Sequence, residues 1–368
     1  MTLRTLFPRR FEAVVLQNPG AAGDVTGPTI TSVDAPANAT YYVGDNLNFT
    51  VNWDEAATVT GTPRIALTVG AATKYANYLS GSGTTALVFR YTVAETEADL
   101  DGIGMTSPIE LNSGTIKDAT GNNATLTFTA PNTTSVLVFT VGSLTNLISY
   151  YKEGEASGTR VDSVVASAND LTDNNTVTQA AGKVGNAAQF TAANSEYLSR
   201  VDNASLSTGD IDFTIACWVY LDSKPANVMC IASKEDAIAS AAEWRMEWRN
   251  TTDRFRFIIF NSAGGATGIA ADNLGVPSTA TWYYVIVWHD ATANTINIQV
   301  NNGTANSTAE LIAIVDSTAS FRIGALSTGT VGNFWNGRND ELLFCKSVLT
   351  AAQKTALYNS GNGCTYSP

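Results

Sequence analysis

Along Thr295-Ile296-Asn297-Ile298-Gln299-Val300-Asn301 the aliphatic residues Ile296, Ile298 and Val300 alternate with Asn297, Gln299 and Asn301. Successive side chains of a strand point to opposite faces, so this run predicts a strand with one dry and one wet face. Asn302-Gly303 tolerates positive φ and predicts a tight turn directly after it. The run Trp282-Tyr283-Tyr284-Val285-Ile286-Val287-Trp288 precedes this strand, and Phe321-Arg322-Ile323-Gly324 and the stretch from Phe334 to Phe344 come after it as further strands. Thr350 with Gln353 has the spacing of a capping box, and Gly361 predicts the end of a short helix about three turns on. Strand, turn, strand, strand and one small helix make the closing half of a sheet-on-sheet sandwich.

The same alternation of short apolar runs and turns fills residues 27–141. The runs are Leu47–Trp53, Arg64–Val69, Ala86–Val93 and Ala124–Phe128. About seven strands in roughly a hundred residues predict an immunoglobulin-like sandwich. The Cys…Trp…Cys spacing of antibody domains is absent from it. Pro28–Val33, Tyr42–Asp45, Asp99–Ile103 and Ile116–Asn122 resemble the bacterial Ig-like repeats strung along surface adhesins. With one copy present, the resemblance implies a stalk that lifts the C-terminal half of the chain away from an anchor.

The C-terminal half carries a second, more specific resemblance. Trp282-Tyr283-Tyr284-Val285, Val300-Asn301-Asn302-Gly303, Arg322-Ile323-Gly324, Asn336–Glu341 and Ala356-Leu357-Tyr358-Asn359 stand in order, preceded by Gly182–Phe190 and Phe213–Val219. Together they resemble the concanavalin A-like, laminin-G-like jelly roll in its bacterial and phage form, over roughly Leu144 to Gly361. Asn339, where that family usually has an aliphatic residue, and Cys345, where it has an aromatic one, depart from the pattern. The expected fold class is therefore all-β: an N-terminal arm (1–26), an Ig-like β-sandwich (27–141), a concanavalin A-like jelly-roll sandwich with one short C-terminal helix (142–361) and a tail (362–368). No long linker separates the sandwiches, which predicts a fixed mutual orientation.

Residues 1–26 differ from the rest. Leu3, Leu6, Phe7 and Phe11 stand beside Arg4, Arg9 and Arg10 in a chain whose net charge is −12. Such a segment is either a frayed terminus or a docking arm. The density of large apolar residues favours the arm, with Leu3, Leu6, Phe7, Arg9, Arg10 and Phe11 as its contacts. No apolar run there is long enough for a signal-peptide core, and no window in the chain approaches a membrane span.

Charge narrows the partners. A protein at −12 lacks the basic stripes that displace counterions from nucleic acid, so no nucleic-acid partner is expected. Cys217, Cys230, Cys345 and Cys364 fit no zinc spacing and read as small apolar core residues, with a disulfide left open.

Glycoside hydrolases share the jelly roll, and hydrolysis needs two carboxyl groups about 5 to 9.5 Å apart. The nearest pattern is Glu243-Trp244-Arg245-Met246-Glu247-Trp248-Arg249. Arg245 takes the place of a central acid, and flanking arginines lower carboxyl pKa values, which disfavours a general acid. The run predicts a salt-bridged solvent face and no enzyme. His289, the only histidine, excludes a His-rich metal cage, and no G-x-S-x-G elbow accompanies it. Calcium would need several hard oxygens in loops. Candidates are Asp99, Asp101 and Asp118 in the first sandwich and Asp162, Asn169 and Asp170 in the second, with plain turn formation as the alternative. A glycan site would draw on Trp248, Arg249, Trp335 and Asn336.

These readings converge on display. The expected function is a non-enzymatic virion structural and adhesion protein, of the phage head-fibre, decoration or tail-associated kind. It would dock on a capsid or tail protein, form a homo-oligomer and present the jelly roll to a host-surface glycan from the virion surface. The alternative is a bacterial secreted or cell-surface carbohydrate-binding adhesin.

Overall fold

The computed structural model describes residues 23–164, 169–236, 242–310 and 312–367. The docking-arm residues Leu3, Leu6, Phe7, Arg9, Arg10 and Phe11 lie outside them. Among the described residues the protein is built of strands, with one short α-helix near the C-terminus.

The first unit has two sheets. The larger runs Ile30–Asp34, Asn46–Thr60, Thr84–Thr92, Ala72–Ser80, Arg64–Val69 and Gly104–Glu110, with Thr115–Lys117 pairing the far end of Asn46–Thr60. The smaller is Ala39–Tyr41, Val136–Phe139 and Ala98–Asp99, the first two of which are parallel. Leu47, Phe49, Val51, Ile65, Leu67, Leu87 and Phe89 are fully buried between the layers, as alternation requires. Ala124–Phe128 departs from expectation. It makes one isolated bridge, Thr125 to Thr29, and single bonds, such as Ala124 N to Ile116 O and Ile109 N to Leu126 O, but no ladder. Its partly buried Leu126 and Phe128 pack on the core without strand pairing.

The second unit begins after a 3-10 turn at Val141–Ser143. Its principal strands are β1 (Asn186–Phe190), β2 (Tyr197–Arg200), β3 (Phe213–Leu221), β4 (Met229–Glu235), β5 (Ala242–Arg249), β6 (Arg254–Phe260), β7 (Trp282–Asp290), β8 (Thr295–Val300), β9 (Phe321–Ile323) and β10 (Gly337–Cys345). One sheet has the order β1-β10-β3-β7-β8, and the other β2-β9-β4-β5-β6, each extended by short edge strands. Phe213, Ile215, Trp244, Met246, Phe255, Phe257, Val285, Val287, Ile296, Ile298, Phe321 and Phe344 fill the space between them.

The first of these sheets is covered on its other face too. Ala216, Trp218, Tyr284, Ile286, Trp288, Leu343 and Cys345 pack there against Leu349, Ala356 and Leu357, together with Phe139 and Val141 from the junction with the first unit. This is why Trp282–Trp288 is continuously apolar: a strand buried on both faces has no wet side to encode. Asn297, expected to be wet, is 5% exposed for the same reason. The Tyr42 hydroxyl donates to Ala356 O at 2.9 Å, and Gly142 N donates to Glu95 at 2.7 Å, tying the units together.

The helix, α1 (Ala351–Tyr358), begins at the expected capping box: Thr350 Oγ1 accepts from Gln353 N, and Thr350 N donates to the Gln353 side chain. It ends earlier than expected. Asn359 takes the left-handed conformation at φ 47° and ends the α-helix, and a 3-10 turn carries the chain on to Gly361, itself at φ 86°. The turn after β8 also shifts by one residue, to Asn301 and Asn302 at φ 52° and 55°. Asparagine tolerates this region better than other non-glycine residues.

Candidate functional site

With one sheet of the jelly roll covered on both faces, the outer face and ends of the other sheet are left to meet a ligand. β5 runs through its middle. Trp244, Met246 and Trp248 point inward, and Glu243, Arg245, Glu247 and Arg249 point outward, as the period of two requires.

The outward carboxylates are not on a solvent face, which corrects the expectation. Both Glu243 and Glu247 are fully buried. Glu243 accepts from Thr208 N and Oγ1 at 2.8 and 2.7 Å and from Ser317 N at 2.9 Å, and lies 2.9 Å from the Lys234 ammonium. Lys234 is itself fully buried and donates to Asp202, Ser317 O and Ala319 O. Glu247 is ringed by arginines: Arg245 Nε at 2.9 Å, Arg256 Nη1 at 3.3 Å and Arg249 Nη1 at 3.7 Å. These arginine side chains are themselves part-exposed, at 18%, 23% and 35% for Arg245, Arg256 and Arg249, while the carboxylate they surround is fully buried. Burial pulls the Arg256 guanidinium below its usual proton affinity; Glu247 opposes this and the neighbouring arginines add to it. Neither glutamate is free to reach a glycosidic oxygen.

An open cleft of about 500 Å³ lies at the other end of β5, where β4 begins. Met229 forms part of its floor, Phe334 is a half-buried wall, and Asn227, Asn250 and Asn333 bring amides to its rim. The Phe334 ring sits 6.1 Å from that of Tyr197, which fixes its orientation. The Asn250 amide donates to Ala226 O and holds the β5–β6 turn against the loop before β4.

The sequence candidates surround this cleft without forming it. Trp335 is fully buried, and its indole N–H donates to Arg338 O at 3.3 Å. Trp248 is 2% exposed, with its N–H on Asp253. Neither ring offers a platform. Asn336 is a brace: its amide donates to Ser223 Oγ at 2.9 Å and its carbonyl accepts from Ala192 N at 3.2 Å. Arg249 faces outward towards Glu247. Phe334 was missed, although alternation carried the signal: if Trp335 packs inward, its neighbour in an extended segment faces out. Gly337 has its own reason, since a Cβ there would meet Tyr220 O at 1.9 Å.

Of the calcium candidates, Asp162, Asn169 and Asp170 lie together, Asp162 N donating to Asp170 at 2.9 Å and Asn169 N to Asp162 at 3.3 Å, whereas Asp118 clusters with residues other than Asp99. Asp99 accepts from Gly70 N and Gly102 N, which makes it a turn holder, and Asp101 is exposed beside it. Asp118 accepts from Thr120 and Asn122 backbone and side chains. Burial opposes its ionisation, but those hydrogen bonds prevail and hold its carboxyl below the usual range. It lies near Asp24 and Glu55, not Asp99, in an all-oxygen cluster. In the jelly roll, Asp162 accepts from Ser149 Oγ and Tyr150 N, Asn169 bonds Ser149 and Ser205, and Asp170 accepts from Asp162 N. Protein donors aim at these oxygens and lock the loop. Cys217, Cys230 and Cys345 are buried, Cys364 is partly so, and all four are free thiols.

The family model described as the concanavalin A-like lectin/glucanases superfamily (Laminin_G_3) matches residues 191–353. No curated protein matches the sequence. Similar solved structures include the binding domain of Paraclostridial Mosquitocidal Protein 1, at 14% identity over 59% of this chain and 52% of that one, with a TM-score of 0.48. Domain 4 of AbnA, a GH43 extracellular arabinanase from Geobacillus stearothermophilus, in complex with arabinotriose, is 16% identical over 60% and 98%, with a TM-score of 0.45. The binding domain of botulinum neurotoxin serotype D is 10% identical over 58% and 51%, with a TM-score of 0.43. The match thus spans about half the length of the two toxin chains. Residues 191–353 are a domain of the concanavalin A-like lectin/glucanases superfamily.

Proposed function

We propose that this protein is a non-enzymatic contact protein whose jelly roll holds carbohydrate in the Phe334 cleft. One observation carries the reading: the open end of the second sheet presents an aromatic wall with three amides, while both outward carboxylates of β5 are locked in buried ion pairs. An aromatic ring packs on the C–H face of a sugar, and amides supply paired donors and acceptors for its hydroxyls. The first unit, of Ig-like character, then acts as a spacer. Residues 1–26, apolar and basic in an acidic chain, suit docking on a capsid or tail protein of a virus particle.

Glycan-array retention tests the site. Phe334→Ala and, at the exposed Asn227, Asn227→Ala are expected to weaken retention at least about tenfold, ~1.4 kcal/mol, with the fold retained. Equal retention by both variants refutes the cleft. The setting has a separate test: particles lacking the protein are expected to lose peripheral density in electron micrographs. Unchanged particles, with the protein found on a cell envelope, would instead support the bacterial adhesin.

A further inference from the structure

His289 lies at the end of β7, fully buried, and its partner is not the adjacent Asp290. Its Nδ1 is 2.7 Å from Ile211 O. A carbonyl only accepts, so Nδ1 carries a proton and Nε2 points the other way. Nε2 meets the carboxylates of Glu310 and Asp210, the latter at 3.7 Å. These three ligand atoms, from three separate segments, all lie within 4.8 Å of one another. Each segment is anchored by bonds outside the trio: His289 pairs with Phe213 across the sheet, Glu310 N donates to Asn294 O at 2.7 Å, and Asp212, two residues after Asp210, accepts from Ala291 N at 2.9 Å.

Charge decides what belongs there. Among the described residues, His289 is the only ion-pair partner of Glu310 and Asp210. A proton on Nε2 leaves two carboxylates facing one positive charge, whereas a divalent cation bound by neutral imidazole balances both. We infer that His289 Nε2, Glu310 and Asp210 form a binding site for a divalent transition metal of the zinc class. One imidazole nitrogen selects against magnesium and calcium, and a nitrogen with two carboxylate oxygens suits zinc, with water completing the tetrahedron. The Nδ1–H to carbonyl bond is the outer-shell contact that fixes tautomer and ring orientation in metal-bound histidines. Asp210, whose side chain is 49% exposed, provides the entry path, and Glu310 at 4% forms the inner wall. Bound metal would pin the segment before β3 to the end of β7 and to the chain after β8. This inference is independent of the glycan cleft.

The test uses the full chain without a histidine tag, stripped by chelator and titrated with Zn²⁺. One equivalent is expected to bind. Asp210→Asn, at a half-exposed position, and Glu310→Gln should each weaken it at least roughly tenfold, the smallest loss that even an outer-shell change brings. Because the chain has a single histidine, its imidazole nitrogen resonances report on one residue only. They should shift as Zn²⁺ is added and show Nε2 without a proton. Failure to bind an equivalent, binding that leaves those resonances unchanged, or variants that bind as tightly as wild type would overturn the site.

Discussion

Replacing Lys234 with methionine is expected to destabilise the protein by about 3 to 5 kcal/mol in chemical denaturation. The ammonium is fully buried, 2.9 Å from Glu243 and 2.8 Å from Asp202, with two backbone carbonyls completing its shell. Methionine fills much of the volume but leaves Glu243 as an uncompensated charge at zero exposure. That orphaned charge is the source of the cost, not the pair's net worth, because desolvating two ions offsets most of their attraction. The double variant Lys234→Met with Glu243→Gln should therefore recover a substantial part of the loss, giving a coupling of at least about 1 kcal/mol. A single-variant cost below about 1 kcal/mol would mean that water reaches Glu243.

Raising the pH from 5 to 9 is expected to lower the melting temperature. Burial pushes the Asp340 carboxyl up from 3.8 to about 7, against hydrogen bonds from Val184 N and Lys183 N. Burial likewise pushes Glu341 from 4.5 to about 8; the Tyr150 hydroxyl opposes this and the Asp340 charge adds to it. Glu153, fully buried nearby, is raised well above its ordinary value by burial, then by Asp340. With a raised pKa, the folded state keeps a proton that the unfolded chain has released. The stabilisation is complete below about pH 4 and lost as pH climbs through 7 and 8. A tenfold change in proton affinity is about 1.4 kcal/mol, so the Asp340 shift corresponds to roughly 4 kcal/mol. Asp118 and Asp54 act in the opposite sense, but their lowered pKa values confine that effect to more acid solution. Asp340→Asn keeps an acceptor for both N–H groups and should flatten the slope. A melting temperature that rises from pH 5 to 9, or an unchanged slope in the variant, would contradict this.

Where alternation set which side chains face the space between the sheets, the sequence was readable to the residue. Ile296 and Ile298 went inward, and Trp244, Met246 and Trp248 fell on the core side of β5. The capping box at Thr350 was local chemistry and appeared where the pattern placed it. Helix end and hairpin turn each fell one or two residues before the expected place because an asparagine, Asn359 or Asn301, enters the left-handed region first. The candidate site was legible only as a neighbourhood. Its Trp248, Trp335 and Asn336 border the cleft, but Phe334 forms it, and which aromatic faces outward depends on the packing of its neighbour. Loops distant in sequence close over Glu243, as the bonds from Thr208 and Ser317 show, so its burial had no local signal. The grouping of Asp210 and Glu310 around His289 is likewise a product of topology.

The claim that this protein acts by presenting surface, without bond cleavage, has one direct test. A glycan retained on the array is incubated with the protein at catalytic and stoichiometric ratios, and its chain length is tracked by mass spectrometry. It should come back uncut. Shortened products that disappear in Glu243→Gln or Glu247→Gln would show that those buried carboxylates do chemistry, and the display account would fail.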